Sequence, residues 1–149
     1  DIRQLAVWGN HSTLQYPCLQ HALIQGQPAL ERVDPQWVRQ TFIPTIQQRG
    51  AVILQARGKS SAASAALAIL DHVHDWALGN PLNDWVSMAI PSDGSYGITS
   101  GLIYSYPVTL KNGAYHLVPN LPLDDFSRDH LRANEQELMN ERDVVRLRN

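Results

Sequence analysis

The sequence has little of several features that would place a protein in a functional class at once. Its 149 residues include a single cysteine, Cys18, which excludes an internal disulfide and suits a reducing compartment. The 12 Lys and Arg residues are balanced by 14 Asp and Glu residues, so no positive excess favours nucleic acid or an anionic membrane surface. The longest apolar stretch, residues 62–70, is interrupted by Ser64 and is too short to span a bilayer. We therefore expect neither a nucleic-acid partner nor a membrane partner.

The amino terminus carries no recognisable targeting signal. Residues 1–4, Asp-Ile-Arg-Gln, have neither the basic nor the apolar region of a secretory signal peptide, so a cytoplasmic location is expected. The chain opens without Met, which fits a fragment and equally fits a trimmed methionine or a removed tag. An apolar fraction of 44% and a charged fraction of 17% are ordinary for a globular protein. A chain of this length predicts one domain, residues 1–149, with a substantial core.

The first half of the chain is rich in helix signals. Residues 4–8 predict a short strand, after which Asp34-Pro35 predicts a helix start with an N-terminal cap followed by proline. Pro44 predicts a kink in that helix, and Gly50 predicts an interruption. Residues 51–57 fit helix or extended chain, and the periodicity does not separate the two.

Residues 60–78 are the clearest predicted helix. Ser60 or Ser61 would cap its start, and Gly79 would end it, with Pro81 following. The segment is apolar nearly all round, which predicts burial within its own domain or against another subunit. His72 and His74 lie two apart on this helix and point to nearly opposite sides, so they are not expected to share a metal ion.

The second half changes to strand-like sequence. Residues 85–90, 102–110 and 114–118 are rich in β-branched and aromatic residues, and Asn112-Gly113 predicts a hairpin turn. Pro107 would place its strand at a sheet edge or a bulge. A charged helix is predicted from Ser127 to about residue 147, with an apolar seam at its residues Leu131, Leu138 and Val145. Helices, antiparallel strands and a final helix together predict an α+β fold.

Most short motifs carry no chemistry. Gly58-Lys59-Ser60 lacks the earlier glycine of a phosphate-binding loop, because position 53 is Ile, and no G-x-G-x-x-G dinucleotide fingerprint occurs. Residues 92–97, SDGSYG, fit a connection between strands better than a substrate loop. No serine lies in a hydrolase G-x-S-x-G setting. His11, in a Gly-Asn turn at the end of a strand, is where active-site groups are often displayed, and the residues alone leave a structural role and a catalytic role equally open.

Several blocks in order resemble the malate dehydrogenases of the cytoplasmic-type group, in their carboxy-terminal, substrate-binding half. The resemblance runs from about residue 6 to residue 146. Its blocks read WGNHS with QYP, QQRGAVILQARGKSSAASAALAILDHV, DWVSM, SDGSYGI, GLIYSYPVTLKNG and DDFSRDHL. The resemblance implies a lactate/malate dehydrogenase carboxy-terminal fold, with antiparallel strands packed on long helices and no Rossmann domain in this chain. It also implies hydride transfer between NAD and malate or oxaloacetate, and a homodimer formed partly by helices of this half.

The resemblance gives His11 a role. The His of GNHS is the family's proton acceptor and donor, and an imidazole suits that role because its ordinary pKa is about 6.5. By position, Ser61 aligns with a residue on the substrate side of the pocket, although the same serine would serve as a helix cap. The Asp that orients the histidine, the arginines that bind the substrate carboxylates and most of the NAD site lie upstream in the family, so none is carried over. We expect no metal ligands here, and we expect the 149 residues alone to be inactive.

Two departures and two alternatives accompany this interpretation. Leu14 and Cys18 stand where the family generally has Thr and Asp, which bears on local packing more than on chemistry. A free-standing, non-catalytic structural or dimerisation domain of the same fold is the alternative from another class. Lactate dehydrogenase, or another 2-hydroxy-acid relative, is less well supported, because QQRG and SDGSYG resemble the malate enzymes.

Overall fold

The described part of the chain folds into three small antiparallel sheets, two long helices and an interrupted helix. The computed structural model describes residues 2–80 and 84–146, so the predicted role of Pro81 lies outside the described residues. The strands pair as β1-β4-β5, β2-β3 and β6-β7-β8. Their bounds are β1 Ile2–Arg3, β2 Ala6–Trp8, β3 Tyr16–Cys18, β4 Leu23–Ile24, β5 Gln27–Pro28, β6 Val86–Pro91, β7 Ile103–Lys111 and β8 Ala114–Leu117. The α-helices are α1 Pro35–Trp37, α2 Ile43–Arg57, α3 Ala63–Leu78 and α4 Asp125–Arg146, and short 3-10 helices lie at Ala29–Glu31 and Ser95–Gly97. The predicted α+β class, with antiparallel strands and long helices, is confirmed.

The β6-β7-β8 sheet confirms the three predicted strands and their hairpin. Asn112 and Gly113 both have positive φ values, 52° and 76°, as the predicted two-residue turn requires. The placement of Pro107 at an edge or a bulge is wrong, because Pro107 lies in the central strand, opposite Ser87. Val118 donates its N–H to the Pro107 carbonyl, but proline has no N–H to return. The Tyr96 hydroxyl donates to the Val118 carbonyl instead, so the missing donor leaves no unpaired acceptor.

The interrupted helix begins where the sequence predicts, but it does not break at Gly50. Asp34 caps it by accepting the Gln36 N–H at 2.9 Å, and Pro35 occupies the first helical position. A π-helical turn at Val38–Phe42 joins α1 to α2 just before Pro44. In a regular α-helix the ring of Pro44 would clash with the carbonyl four residues earlier, and the π-helical turn lies at that point. The predicted interruption at Gly50 is wrong. Gly50 is exposed inside α2, where glycine costs only about 1 kcal/mol relative to alanine.

Helix α3 begins later and lies more exposed than the sequence predicts. It starts at Ala63, and neither serine caps it, because the N-cap residue is Ala62 and no side chain bonds to the first turn. Gly79 ends the helix, as predicted. The prediction of burial within its own domain is wrong, since none of its residues is buried. The exposed large apolar side chains of α3 are Leu67, Ile69, Leu70, Val73, Trp76 and Leu78.

Helix α4 supplies one wall of the core. Asp124 caps it by accepting the Ser127 N–H at 2.8 Å. Hydrogen bonding from Ser127, mainly from its side chain and less from this N–H, holds the pKa of the Asp124 carboxyl below its ordinary value. The predicted start at Ser127 is therefore wrong by two residues, because α4 begins at Asp125. Leu131 of the predicted seam is buried, whereas Val145 is 61% exposed. The seam therefore stops before the end of the helix.

Aromatic side chains of β2 and β7 fill the core beside α4. Trp8 packs edge-on against Tyr96 and Tyr106, with ring centroids 4.9 and 6.0 Å apart. Burial raises the pKa of Tyr104 and of Tyr106, so both hydroxyls stay protonated at neutral pH. Within residues 2–80 and 84–146, no helix is long and apolar enough to cross a membrane.

The buried hydroxyl of Ser92 makes three hydrogen bonds in this core, and we expect its removal to destabilise the fold. Its hydroxyl accepts the Tyr106 O–H at 2.8 Å and the Gly94 N–H at 3.2 Å, and it donates to the Ile98 carbonyl at 3.0 Å. We expect Ser92→Ala to lower the free energy of unfolding by about 1–3 kcal/mol, because buried groups lose their partner. Urea unfolding measures this. Tyr106→Phe should cost less, and in the double variant the two losses should be less than additive. Additive losses would contradict the argument.

Candidate active site

The loop that carries His11 follows directly from β2. Gly9 forms an antiparallel bridge to Ser105 of β7, with N···O distances of 3.2 and 3.0 Å. The φ of Gly9 is +95°, a conformation that side chains of L-residues rarely adopt. A Cβ atom at Gly9 would lie 2.2 Å from both Cγ and Oδ1 of Asn134. The loop therefore leaves the sheet at a point where only glycine fits against α4.

Asn134 of α4 holds the two ends of the loop. It is fully buried, and its Oδ1 accepts the Asn10 N–H at 2.9 Å. Its Nδ2 donates to the carbonyls of Leu14, at 2.7 Å, and of His130, at 3.0 Å. One amide thus bonds the first and last residues of the 10–14 loop to the same helix.

Polar side chains on either side of His11 also bond to α4. Glu137 accepts the Ser12 hydroxyl at 2.5 Å and the Asn10 Nδ2 at 3.0 Å, and Glu141 accepts from Asn10 at 3.1 Å. The Ser12 hydroxyl in turn accepts the Leu14 N–H at 3.0 Å. These four side-chain hydrogen bonds restrain the two neighbours of the histidine, in addition to the bond from the Asn10 N–H to Asn134.

His11 itself is exposed. Its ring makes no hydrogen bond within residues 2–80 and 84–146. A solvent-facing imidazole on a loop bonded at both ends is free to exchange a proton with a ligand brought to that face. The part of the chain that the structure describes supplies no carboxylate partner to the ring.

Ser61 lies in the connection between α2 and α3 and is half-buried. The structure does not bring it to His11 through any hydrogen bond among the described residues. Five clefts of the described chain have volumes of about 110 to 380 Å³, and neither His11 nor Ser61 lines any of them. The two predicted site residues therefore do not share any of these five clefts.

The described residues contain no cluster of metal-ligating side chains, and the sequence contains no dinucleotide fingerprint. No group of three or more His, Cys, Asp or Glu side chains that could hold a metal occurs in residues 2–80 and 84–146. The sequence lacks the glycine-rich fingerprint that cradles a pyrophosphate.

Sequence reasoning missed the residues of α4 that hold the loop. Asn134 lies three residues after Leu131 and four before Leu138, so it falls within the predicted apolar seam. A polar residue on a buried face needs partners, and this position could have been singled out on that ground. Its partners, 120 and 124 residues away in the chain, could not have been identified from the sequence.

Comparison with known proteins identifies a matching family and similar solved structures. Residues 1–146 match the family described as lactate/malate dehydrogenase, alpha/beta C-terminal domain. A malate dehydrogenase from Naegleria fowleri is 51% identical with a TM-score of 0.91, and the match covers 98% of this chain and 45% of that chain. A lactate dehydrogenase from Trichomonas vaginalis, in complex with NADH and oxamate, is 30% identical with a TM-score of 0.89, over 97% of this chain and 46% of that chain. The chain thus spans less than half the length of these solved structures.

Proposed function

Because this chain belongs to the lactate/malate dehydrogenase family as its alpha/beta carboxy-terminal domain, we propose that it is the substrate-binding half of an NAD-dependent malate dehydrogenase. The observation that carries the proposal is the exposed imidazole of His11 on a loop whose neighbours are bonded to α4. Residues 1–149 would form the substrate-binding and dimerisation domain. The cytoplasmic-type group is the subgroup that we propose.

His11 would act as the proton acceptor when malate is oxidised and as the donor when oxaloacetate is reduced. Oxidation of a secondary alcohol removes a hydride from carbon and a proton from the hydroxyl, and a histidine ordinarily titrates near neutral pH. NAD, held mainly by the other half of the parent protein, supplies the hydride acceptor. The exposure of His11 supports this division, because the face that it occupies remains open to a second half.

Ser61 is proposed to line the substrate side of the completed pocket. It makes no capping bond to α3, so the structural role that competed with this one is not observed. Half-burial in a connecting segment leaves its hydroxyl able to face a ligand. We propose malate and not lactate because the malate dehydrogenase is 51% identical and the lactate dehydrogenase 30%.

We further propose that the parent protein is a homodimer, acts in the cytoplasm and serves the tricarboxylic acid cycle reaction of malate. The exposed apolar side chains of α3 support an interface, since exposed apolar surface of this extent is typical of contact surfaces. The same surface favours the alternative function, a structural or dimerisation domain without catalysis. The two functions differ in whether His11 is needed for any activity.

Two samples test the proposal: the parent protein, and the 149 residues alone. With malate and NAD, we expect the parent protein to form NADH at an enzyme-like rate, and to do so faster than with lactate. We expect the 149 residues alone to form none, because the proposed orienting carboxylate and most of the NAD site lie in the other half. NADH absorbance is the measurement. A parent protein that dimerises but is inactive would favour the structural alternative, and turnover by the 149 residues alone would contradict the division of roles.

A further inference from the structure

We infer that Glu137 is a positioning residue, which acts by fixing the direction in which the loop presents the His11 ring. The inference rests on the proposed role of His11 and extends it to a helix far away in sequence. A single oxygen, Oε2, accepts both the Ser12 hydroxyl at 2.5 Å and the Asn10 Nδ2 at 3.0 Å. These two residues flank His11 directly, so one carboxylate oxygen sets both neighbours of the ring.

The bonds to Glu137 differ in kind from those to Asn134. Asn134 binds only main-chain atoms of the loop, at its first and last residues. Glu137 binds the side chains of Asn10 and Ser12, and the Ser12 hydroxyl passes the constraint on by accepting the Leu14 N–H at 3.0 Å. Asn134 therefore fixes the path of the loop backbone, and Glu137 fixes the orientation of the side chains beside His11.

The strength and the direction of these bonds support the role. Hydrogen bonds to a carboxylate are roughly twice as strong as neutral ones. Both flanking side chains bond to α4, whereas His11 between them is exposed and makes no hydrogen bond among the described residues. Glu141 also reaches Asn10, at 3.1 Å, but makes no bond to Ser12, so it does not replace the shared acceptor.

Kinetics of the parent protein test the inference with three substitutions of one residue. Glu137→Gln keeps an oxygen at the same reach, whereas Glu137→Asp shortens the side chain and Glu137→Ala removes it. We expect Asp and Ala to lower kcat for malate by about tenfold to a hundredfold, since a displacement of about 1 Å costs up to that much. The Gln variant should stay within about threefold of wild type, since neutral acceptors give weaker bonds of the same geometry. Gln136→Ala, exposed and paired only with Asn140 among the described residues, is the matched control and should be unchanged.

The pattern of the variants separates positioning from simple loss of stability. Equal kcat values for Glu137→Gln and Glu137→Asp, or a wild-type kcat for Glu137→Asp, would overturn the inference. If Glu137→Ala fails to fold, the comparison of Gln with Asp decides. Thermal unfolding of each variant is measured alongside, and a fall in kcat that only follows the fall in Tm, with no rescue by Gln, also counts against the inference.

A second readout does not depend on turnover of malate. In the parent protein labelled at histidine, the NMR signal of the His11 ring, assigned with His11→Gln, should shift or broaden in Glu137→Asp and return in Glu137→Gln. The ring signals of His21 and His130 serve as internal controls and should stay in place. If wild type does not oxidise malate but the His11 signal follows this pattern, the proposed function fails and the positioning role stands. If malate is oxidised and the His11 signal does not respond, the positioning role fails alone.

Discussion

Replacing His11 by Gln is expected to lower kcat/KM of the parent protein for malate by about 10² to 10⁴. A positioned general acid–base group contributes a factor of that size, and the glutamine amide neither takes up nor releases a proton near neutral pH. Gln retains a polar side chain of similar length at this exposed position, so the substitution removes proton transfer with little change in packing. Stability should therefore be nearly unchanged, because surface substitutions away from special features usually stay within about 0.5 kcal/mol.

The measurement is the initial rate of NADH formation over a range of malate concentrations. His116→Gln is the matched control, because His116 is also exposed and lies on β8, away from the loop that carries His11. It should keep the wild-type rate. An active wild type together with a His11→Gln variant that keeps more than about a tenth of its rate would exclude the factor expected of a general acid–base group.

Replacing Gly9 by Ala is expected to have the largest effect on the fold itself. The new Cβ would lie 2.2 Å from Asn134 Cγ and Oδ1 and 2.7 Å from its Cβ, closer than real contacts occur. Asn134 cannot simply move away, because its amide bonds both ends of the loop and its side chain is fully buried. Strain at φ +95° adds about 1–3 kcal/mol. We expect the free energy of unfolding to fall by about 3 kcal/mol or more, as conformational strain and lost buried hydrogen bonds add together.

Gly94→Ala isolates the conformational part of this effect. Gly94 has a nearly equal φ of +99°, but an added Cβ there meets nothing within 4 Å. Gly94→Ala should therefore lower the free energy of unfolding by only about 1–2 kcal/mol, the usual penalty of a left-handed backbone conformation for an L-residue. Urea unfolding of both variants measures the difference. Equal losses at the two glycines would mean that contact with Asn134 does not restrict position 9, and glycine would then not be required there by α4.

Local rules predicted the features that a few neighbouring residues control. Asp34 and Pro35 start a helix because a side-chain acceptor and a missing N–H both suit the first turn. Asn112-Gly113 closes the β7–β8 hairpin because both residues accept positive φ. The family resemblance likewise depended on blocks of sequence. Membership of the lactate/malate dehydrogenase family, through its carboxy-terminal domain, is confirmed, and the cytoplasmic-type subgroup stays a prediction. The role of His11 that the resemblance implies stays a prediction.

Local rules failed where a distant group changed the balance. Pro107 occupies a central strand because the hydroxyl of Tyr96 replaces the N–H that proline lacks, and no pattern around Pro107 indicates that partner. Gly50 stays helical because the cost of one glycine is smaller than what the rest of α2 contributes. The apolar sequence of α3 predicted burial within its own domain or against another subunit. The first is wrong, because none of its residues is buried, and the second stays a prediction.

The sequence by itself determined the family, the α+β class, the helix cap at Asp34 and the place of His11 at the end of a strand. Each follows from local patterns of residues, or from the order of such patterns along the chain. Only the tertiary structure decided what holds that histidine's loop. Asn134 and Glu137 reach the loop across more than 120 residues of intervening chain. Hydrogen bonds form between groups that the fold brings together, and local sequence patterns do not predict which residues distant in the chain will be in contact.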